Sequence, residues 1–194
     1  MYLKKKQPLI FLIAGRARSG KGTIAKFIEE YFLNQNSKVV ISPYTKYLKK
    51  YIEEITGETI DEDNKPRELL QKISSELIKK ELNKPNFFID RQLEDLEIYS
   101  YFADVIIIPD VRFEEEMEII KQNFNTVITI GVIRPNFKSD LTKEQLNDIT
   151  ETALDNYDNY NYKIINNADE IKLKDKVLTI LEKIKERGEY LWIK

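Results

Sequence analysis

The chain has no cysteine and no histidine among its 194 residues. Those two absences exclude disulfides, thiol nucleophiles, the usual zinc sites and imidazole acid/base chemistry. Any catalysis must therefore draw on lysine, arginine, carboxylates and a metal. An excess of positive charge is lacking as well: 31 Lys and Arg stand against 33 Asp and Glu, a formal net charge of −2. Without a basic footprint a nucleic-acid polymer is not an expected partner, and anionic small molecules have to be held by local clusters. Long apolar runs are also missing. The basic start Met1-Tyr2-Leu3-Lys4-Lys5-Lys6 leads into a short apolar run that ends in a glycine-bounded loop. Neither a signal peptide nor a membrane span is expected, and the expected location is cytoplasmic. No internal repeat or flexible linker is visible, and 194 residues suit one α/β domain with a continuous core.

What is present is organised around Leu9 to Thr23. The apolar run Leu9-Ile10-Phe11-Leu12-Ile13-Ala14 reads as a buried strand, and Gly15-Arg16-Ala17-Arg18-Ser19-Gly20-Lys21-Gly22-Thr23 follows it directly. The amphipathic run Ile24 to Phe32 then reads as a helix. Strand, phosphate loop and helix is the required context for this motif; the bland alternative is a glycine-rich turn that binds nothing. Gly15 and Gly20 let the backbone fold back so that successive N–H groups face one concavity suited to an anion. The helix start adds unpaired donors and its dipole. Lys21 supplies a mobile point charge for β- and γ-phosphates, and Thr23 carries a hydroxyl placed to reach Mg²⁺. The Gly-Lys-Gly-Thr ending is similar to that of adenylate-kinase-like small kinases.

Downstream, Lys38 to Ser42 reads as a second buried strand leading through Pro43 into Tyr44-Thr45-Lys46. Tyr47 to Ile55 is a predicted helix with Leu48, Tyr51, Ile52 and Ile55 on one face and Gly57 as its stop, and Arg67 to Leu82 is another, entered through Pro66. Asn86 to Phe102 reads as helical, and two helices between strands suggest an inserted substrate flap over about 44–102. Val105 to Ile108 and Thr126 to Ile133 read as the third and fourth strands, with a helix Glu114 to Asn123 between them. The polar stretch up to Asp158, with a short helix around Lys143 to Ile149, fits a lid over about 135–158 or an ordinary surface excursion. Tyr162 to Ile165 is the fifth predicted strand, and Glu170 to Arg187 a closing helix. The expected fold is α/β: a parallel sheet with helices on both faces in three layers, in strand order 2-3-1-4-5 by analogy with other small phosphate-loop kinases.

Arginine is sparse and its positions are informative. Arg16 and Arg18 lie in the loop, Arg67 and Arg91 in the inserted helices, Arg112 after strand three and Arg134 after strand four. Arginine at strand ends suits phosphate oxygens through its fixed fork, the alternative being helix caps or pairs with glutamate. Asp110, read as lying just past the third strand, can reach a Mg²⁺-bound water or a substrate hydroxyl, or cap the next helix. Glu114-Glu115-Glu116 reads as a solvated first turn that complements the helix dipole.

The loop, together with Lys65-Pro66-Arg67-Glu68-Leu69-Leu70-Gln71, Asp110-Val111-Arg112-Phe113 followed by Glu116, Ile133-Arg134-Pro135 and Thr150-Glu151-Thr152-Ala153-Leu154, resembles the bacteriophage-type deoxynucleoside monophosphate kinases. That family's lid usually opens with His-x-Ser-Glu, where this chain has Asp148-Ile149-Thr150-Glu151. The resemblance implies ATP and Mg²⁺ as cofactors and a nucleoside monophosphate as acceptor. It implies catalytic roles for Lys21, Asp110, Arg112 and Arg134, and ATP contacts from Gly15, Arg16, Arg18, Ser19, Gly20, Lys21, Gly22 and Thr23. Thr23 and Asp110 are the expected metal side. Asn166, in the turn after strand five with Asn167, is expected near adenine. Lys46, Lys65, Arg67, Gln71, Arg91, Asp110, Arg112 and Glu151 are the expected acceptor contacts. Animal phosphomevalonate kinases resemble the same family, so a small-metabolite acceptor stays open, as does a protein that binds nucleotide without turnover. Tyr157, Tyr160 and Tyr162 fit core, lid or interface, which leaves room for a homodimer.

Overall fold

Five apolar segments form five strands: β1 (Leu9–Ala14), β2 (Val39–Ile41), β3 (Val105–Val111), β4 (Val127–Ile133) and β5 (Tyr162–Ile165). All neighbours are parallel and the order is β2-β3-β1-β4-β5, as expected. The computed structural model describes residues 4–60, 66–135 and 142–188, with the side chain of Arg67 outside that description. The expected contact Lys65 also lies outside it, as does the part of the expected lid over 136–141.

Two compact units divide the chain: Met1–Pro43 with Leu96–Lys194, and Tyr44–Asp95. In the first, every residue of β1 is fully buried, as a central strand covered on both faces must be. Leu9, Phe11 and Ile13 share a core with Ile24, Ile28 and Phe32 of helix α1 (Lys21–Leu33) and with Val177, Leu181 and Ile184 of helix α8 (Glu170–Glu186). Ile10 and Leu12 alternate onto the opposite face.

Three expectations change. β2 is an edge strand whose residues are only half-buried or exposed, because it pairs on one side alone. β3 runs on through Pro109 and Asp110 to Val111. Its register with β1 goes from Leu12↔Ile108 to Ala14↔Val111, so β3 carries an extra residue there. That bulge is how a central strand tolerates a proline with no N–H to donate. Asp110 is therefore inside the strand, one residue before the partner of Ala14. Helix α5 (Glu114–Asn123) begins where expected, but Glu116 is buried instead of solvated. Its Oε2 accepts from the backbone N–H groups of Arg112 at 2.7 Å and Phe113 at 3.2 Å, capping the helix from inside.

The second unit holds helix α2 (Lys46–Thr56), ended by Gly57, and helix α3 (Arg67–Gln71), which continues as a wider π-helical stretch Lys72–Glu81. It also holds the first part of helix α4 (Phe87–Tyr99). Leu48, Ile52, Ile60 and Leu70 form its core, with Ile73 and Phe88 packed against them. Ile55, expected inward, is exposed. Between β4 and β5 stand two single-turn helices, α6 (Lys143–Leu146) and α7 (Ile149–Thr152), neither of which buries a side chain completely. Among the described residues no helix is long and apolar enough to cross a membrane.

Candidate active site

Every strand of a parallel sheet points its carboxyl end the same way, and ligands of such sheets bind at that edge. β1 ends there in the loop. Gly15 (φ 145°) is in a conformation disfavoured for other residues, and a Cβ on it would run into the Val132 carbonyl of β4. Gly20 (φ 103°) is the second such position, where a Cβ would come within 2.6 Å of Asn166 Nδ2. Arg18 also has positive φ, at 58°. The loop so shaped delivers helix α1 with Gly20 as its N-cap, which has no side chain to bond the first turn, and with no acidic residue in that turn. Among the described residues no acceptor meets the N–H groups of Gly22 and Thr23. Ser19, 3% exposed, has a buried hydroxyl that meets no hydrogen-bond partner there either. An uncapped helix start beside an orphaned hydroxyl is the donor set that a phosphate completes.

Lys21 is nearly buried, and its ammonium donates to Gly15 O and Arg16 O, both at 2.8 Å. Gly22 is exposed and Thr23 half-buried. Asn166, in the turn after β5, donates from Nδ2 to Ser19 O at 2.9 Å, and its own N–H is bonded to Ile133 O. The side chain expected near adenine is thus bonded to the loop. Arg134 donates to Arg18 O at 3.1 Å. Asp110 is half-buried in β3, beside the residue that precedes the loop.

On its other flank the loop meets carboxylates. Ala17 N–H donates to Glu151 Oε2 at 2.5 Å, and Arg112 pairs with Glu151 Oε1 at 2.8 Å and donates to Thr150 O at 3.2 Å. Arg16 makes a two-pronged pair with Asp155, Nε to Oδ1 at 2.8 Å and Nη2 to Oδ2. Hydrogen bonding to Asp155 raises the Arg16 pKa above its ordinary value, so the guanidinium stays charged. A cleft of about 400 Å³ lies here, bordered by Arg16, Arg112, Gly131, Glu151, Asp155 and Tyr160. A Cβ on Gly131 would lie within 2.6 Å of the Tyr160 ring, so that glycine is what seats the tyrosine.

The loop residues, Asp110, Arg112, Arg134, Glu151 and Asn166 are therefore gathered in the first unit. Lys46, Gln71 and Arg91 belong to the second. There Lys46 pairs with Asp95, which also accepts from Tyr47 OH, and Arg91 pairs with Glu94 at 3.1 Å and lies over the rings of Tyr47 and Phe87. Gln71 is exposed. Ala17, Glu116 and Asp155 were not legible as site residues. The signal available for Asp155 was its spacing of four from Glu151, which puts two carboxylates on one side of a helical turn.

Comparison with protein-family models and with curated proteins finds no match. Solved structures share the fold at low identity. Mycobacterium tuberculosis APS kinase in complex with AMPPNP and APS is 8% identical, covers 91% of this chain and 99% of its own, and superposes with a TM-score of 0.54. Dephospho-CoA kinase from Campylobacter jejuni is 14% identical over 92% of this chain and 98% of its own, TM-score 0.51. Shikimate kinase from Bacteroides thetaiotaomicron is 17% identical over 91% and 98%, TM-score 0.50. What the chain shares with these kinases is the fold.

Proposed function

We propose that the protein is a Mg²⁺-ATP-dependent kinase that transfers the γ-phosphoryl group to a nucleoside monophosphate, most readily a deoxynucleotide. The observation that carries this reading is the uncapped start of helix α1, with the orphaned Ser19 hydroxyl and Lys21 beside it. The nucleotide analogue held by the APS kinase of the same fold supports an ATP site, and the resemblance to phage kinases supports the acceptor.

An acceptor phosphate is already anionic at neutral pH, so its oxygen needs no strong base, and a chain without histidine loses nothing by that. The chain's work is positioning and charge neutralisation. Loop N–H groups from Gly20 to Thr23 hold phosphate oxygens, and Lys21 exchanges its two carbonyl partners for the β- and γ-phosphates. Arg16, Arg18 and Arg134 neutralise charge on the transferred group, and Arg112 orients the acceptor phosphate. Thr23 and Asp110 would hold Mg²⁺, which when bound supplies further neutralisation of the phosphates. An ion held by one or two protein groups and by substrate phosphates is the usual arrangement for Mg²⁺. Lys46, Lys65, Arg67, Gln71 and Arg91 keep their proposed part in acceptor binding on the resemblance alone.

The test is coupled ADP release with Mg²⁺-ATP against ribo- and deoxynucleoside monophosphates and phosphomevalonate. Turnover with one or a few nucleoside monophosphates supports the proposal. Turnover with phosphomevalonate alone replaces the acceptor, and ATP binding with no stimulation by any acceptor replaces the kinase with a nucleotide-binding protein.

A further inference from the structure

Half of the loop is filled by the protein itself. Three donors suited to phosphate oxygens, the Ala17 N–H and the Arg16 and Arg112 guanidinia, are taken by Glu151 and Asp155. The two carboxylates sit four residues apart on α7 and the turns that follow it, so one short segment presents both. Charge-assisted bonds of this kind are the strong ones, and each is of the type a phosphate oxygen would make with the same donor.

The segment is attached unevenly. At its far end, neutral and apolar contacts fix it to β4: Asn161 Oδ1 accepts from Thr129 N and Oγ1, both at 2.8 Å, and the Tyr160 ring packs onto Gly131. Tyr157 and Tyr160 meet edge to face with centroids 4.7 Å apart. At its near end the one apolar side chain of α7, Ile149, is 63% exposed, and the side chain buried against the loop is the charged Glu151, 8% exposed. That end meets the loop through the Glu151 and Asp155 carboxylates, and Arg112 also donates to the Thr150 carbonyl. Few buried apolar contacts and a polar grip mark an element at the low-stability end of its fold.

We infer that residues 148–157 form a self-blocking strap, whose Glu151 and Asp155 carboxylates occupy the phosphate positions of the loop and are displaced when a phosphate-bearing ligand enters. The inference rests on the kinase reading and adds a regulation to that site. Ligand affinity is then set by competition: the apparent Kd is the intrinsic one divided by the fraction of molecules with the strap released. Release also frees Arg112 from Glu151, so nucleotide entry readies the acceptor arginine, which keeps it masked until ATP is present.

The experiment compares the full chain with the neutral, near-isosteric double variant Glu151→Gln/Asp155→Asn. Mg²⁺-AMPPNP binding is measured by calorimetry, and amide hydrogen exchange is followed over residues 148–157 and at Ala17. The strap predicts that the variant binds AMPPNP at least about fivefold more tightly. It also predicts faster exchange of 148–157 in the unliganded variant, and faster exchange in the wild-type protein on adding AMPPNP. Equal affinity, or a wild-type strap whose exchange is unmoved or slowed by bound AMPPNP, overturns the strap and leaves the nucleotide site standing. If AMPPNP binds neither protein while the variant's strap exchanges faster, the kinase reading has failed and the proposal falls with it.

Discussion

The two halves of the loop that follows β1 are in opposite states although they share one backbone. Arg16 and Ala17 are bonded to carboxylates that arrive from more than a hundred residues away. Gly22 and Thr23 point their N–H groups where the described residues offer nothing, and the Ser19 hydroxyl is equally unmet. Of these the Ser19 hydroxyl is buried, and a buried donor without a partner costs on the order of 1–3 kcal/mol. The difference teaches that one half of the loop has its donors met by the chain's own carboxylates, while the helix-side half, in the proposed function, is the part an external anion completes.

Removing the charge of the open half is the most severe way to break that contrast. Lys21→Ala should lower phosphoryl transfer by roughly 10²–10³-fold with the circular dichroism spectrum unchanged. Transfer at the wild-type rate would remove Lys21 from the site. Next in size is Gly20→Ala, which places a Cβ against Asn166 and forces an L-residue to positive φ. It should cost about 1–3 kcal/mol in urea unfolding, with weakened ATP binding. An unperturbed midpoint would mean that the loop is less constrained than its geometry indicates. Asn166→Ala leaves Ser19 O without its donor and should cost about 1 kcal/mol and raise the KM for ATP while leaving kcat close to wild type. A fall in kcat alone would assign Asn166 to the transition state instead.

The smallest effect sharpens the covered half. Burial pushes the Tyr160 phenol up from 10.0 to about 12, so the folded protein keeps a proton that the unfolded chain releases. Tyr160 then contributes stability that is fully present below pH 10 and is lost as the pH rises towards 12. Tyr160→Phe should show less of that alkaline loss in thermal melts across this range. Parallel curves for the two proteins would place the ring in water, and with it the strap's anchor.

Much of the fold was legible because it is written in short apolar runs. β1 could be nothing but buried, and the β-α alternation left few topologies. Exposure was harder, since it depends on neighbours that a run does not contain: β2 reads like a central strand and is an edge, and Ile55 reads inward and faces water. Pro109 looked like a strand end because proline breaks ladders, yet a bulge absorbs it and moves Asp110 into the strand. In the site, the loop and the strand-end arginines were visible from residue type and position. The contacts of Glu151 were not, because the bond to Ala17 spans 134 residues of sequence and depends on tertiary placement alone. Glu116 was misread for a related reason, since three successive glutamates look alike until one is turned inward.

The most direct measurement is the backbone amide spectrum of the loop on titration with Mg²⁺-AMPPNP. Saturating shifts at Gly20, Lys21, Gly22 and Thr23, abolished in Lys21→Ala, are the result expected of an external phosphate in the open half. Binding of the nucleotide with those four amides unmoved would place the site elsewhere and contradict the account.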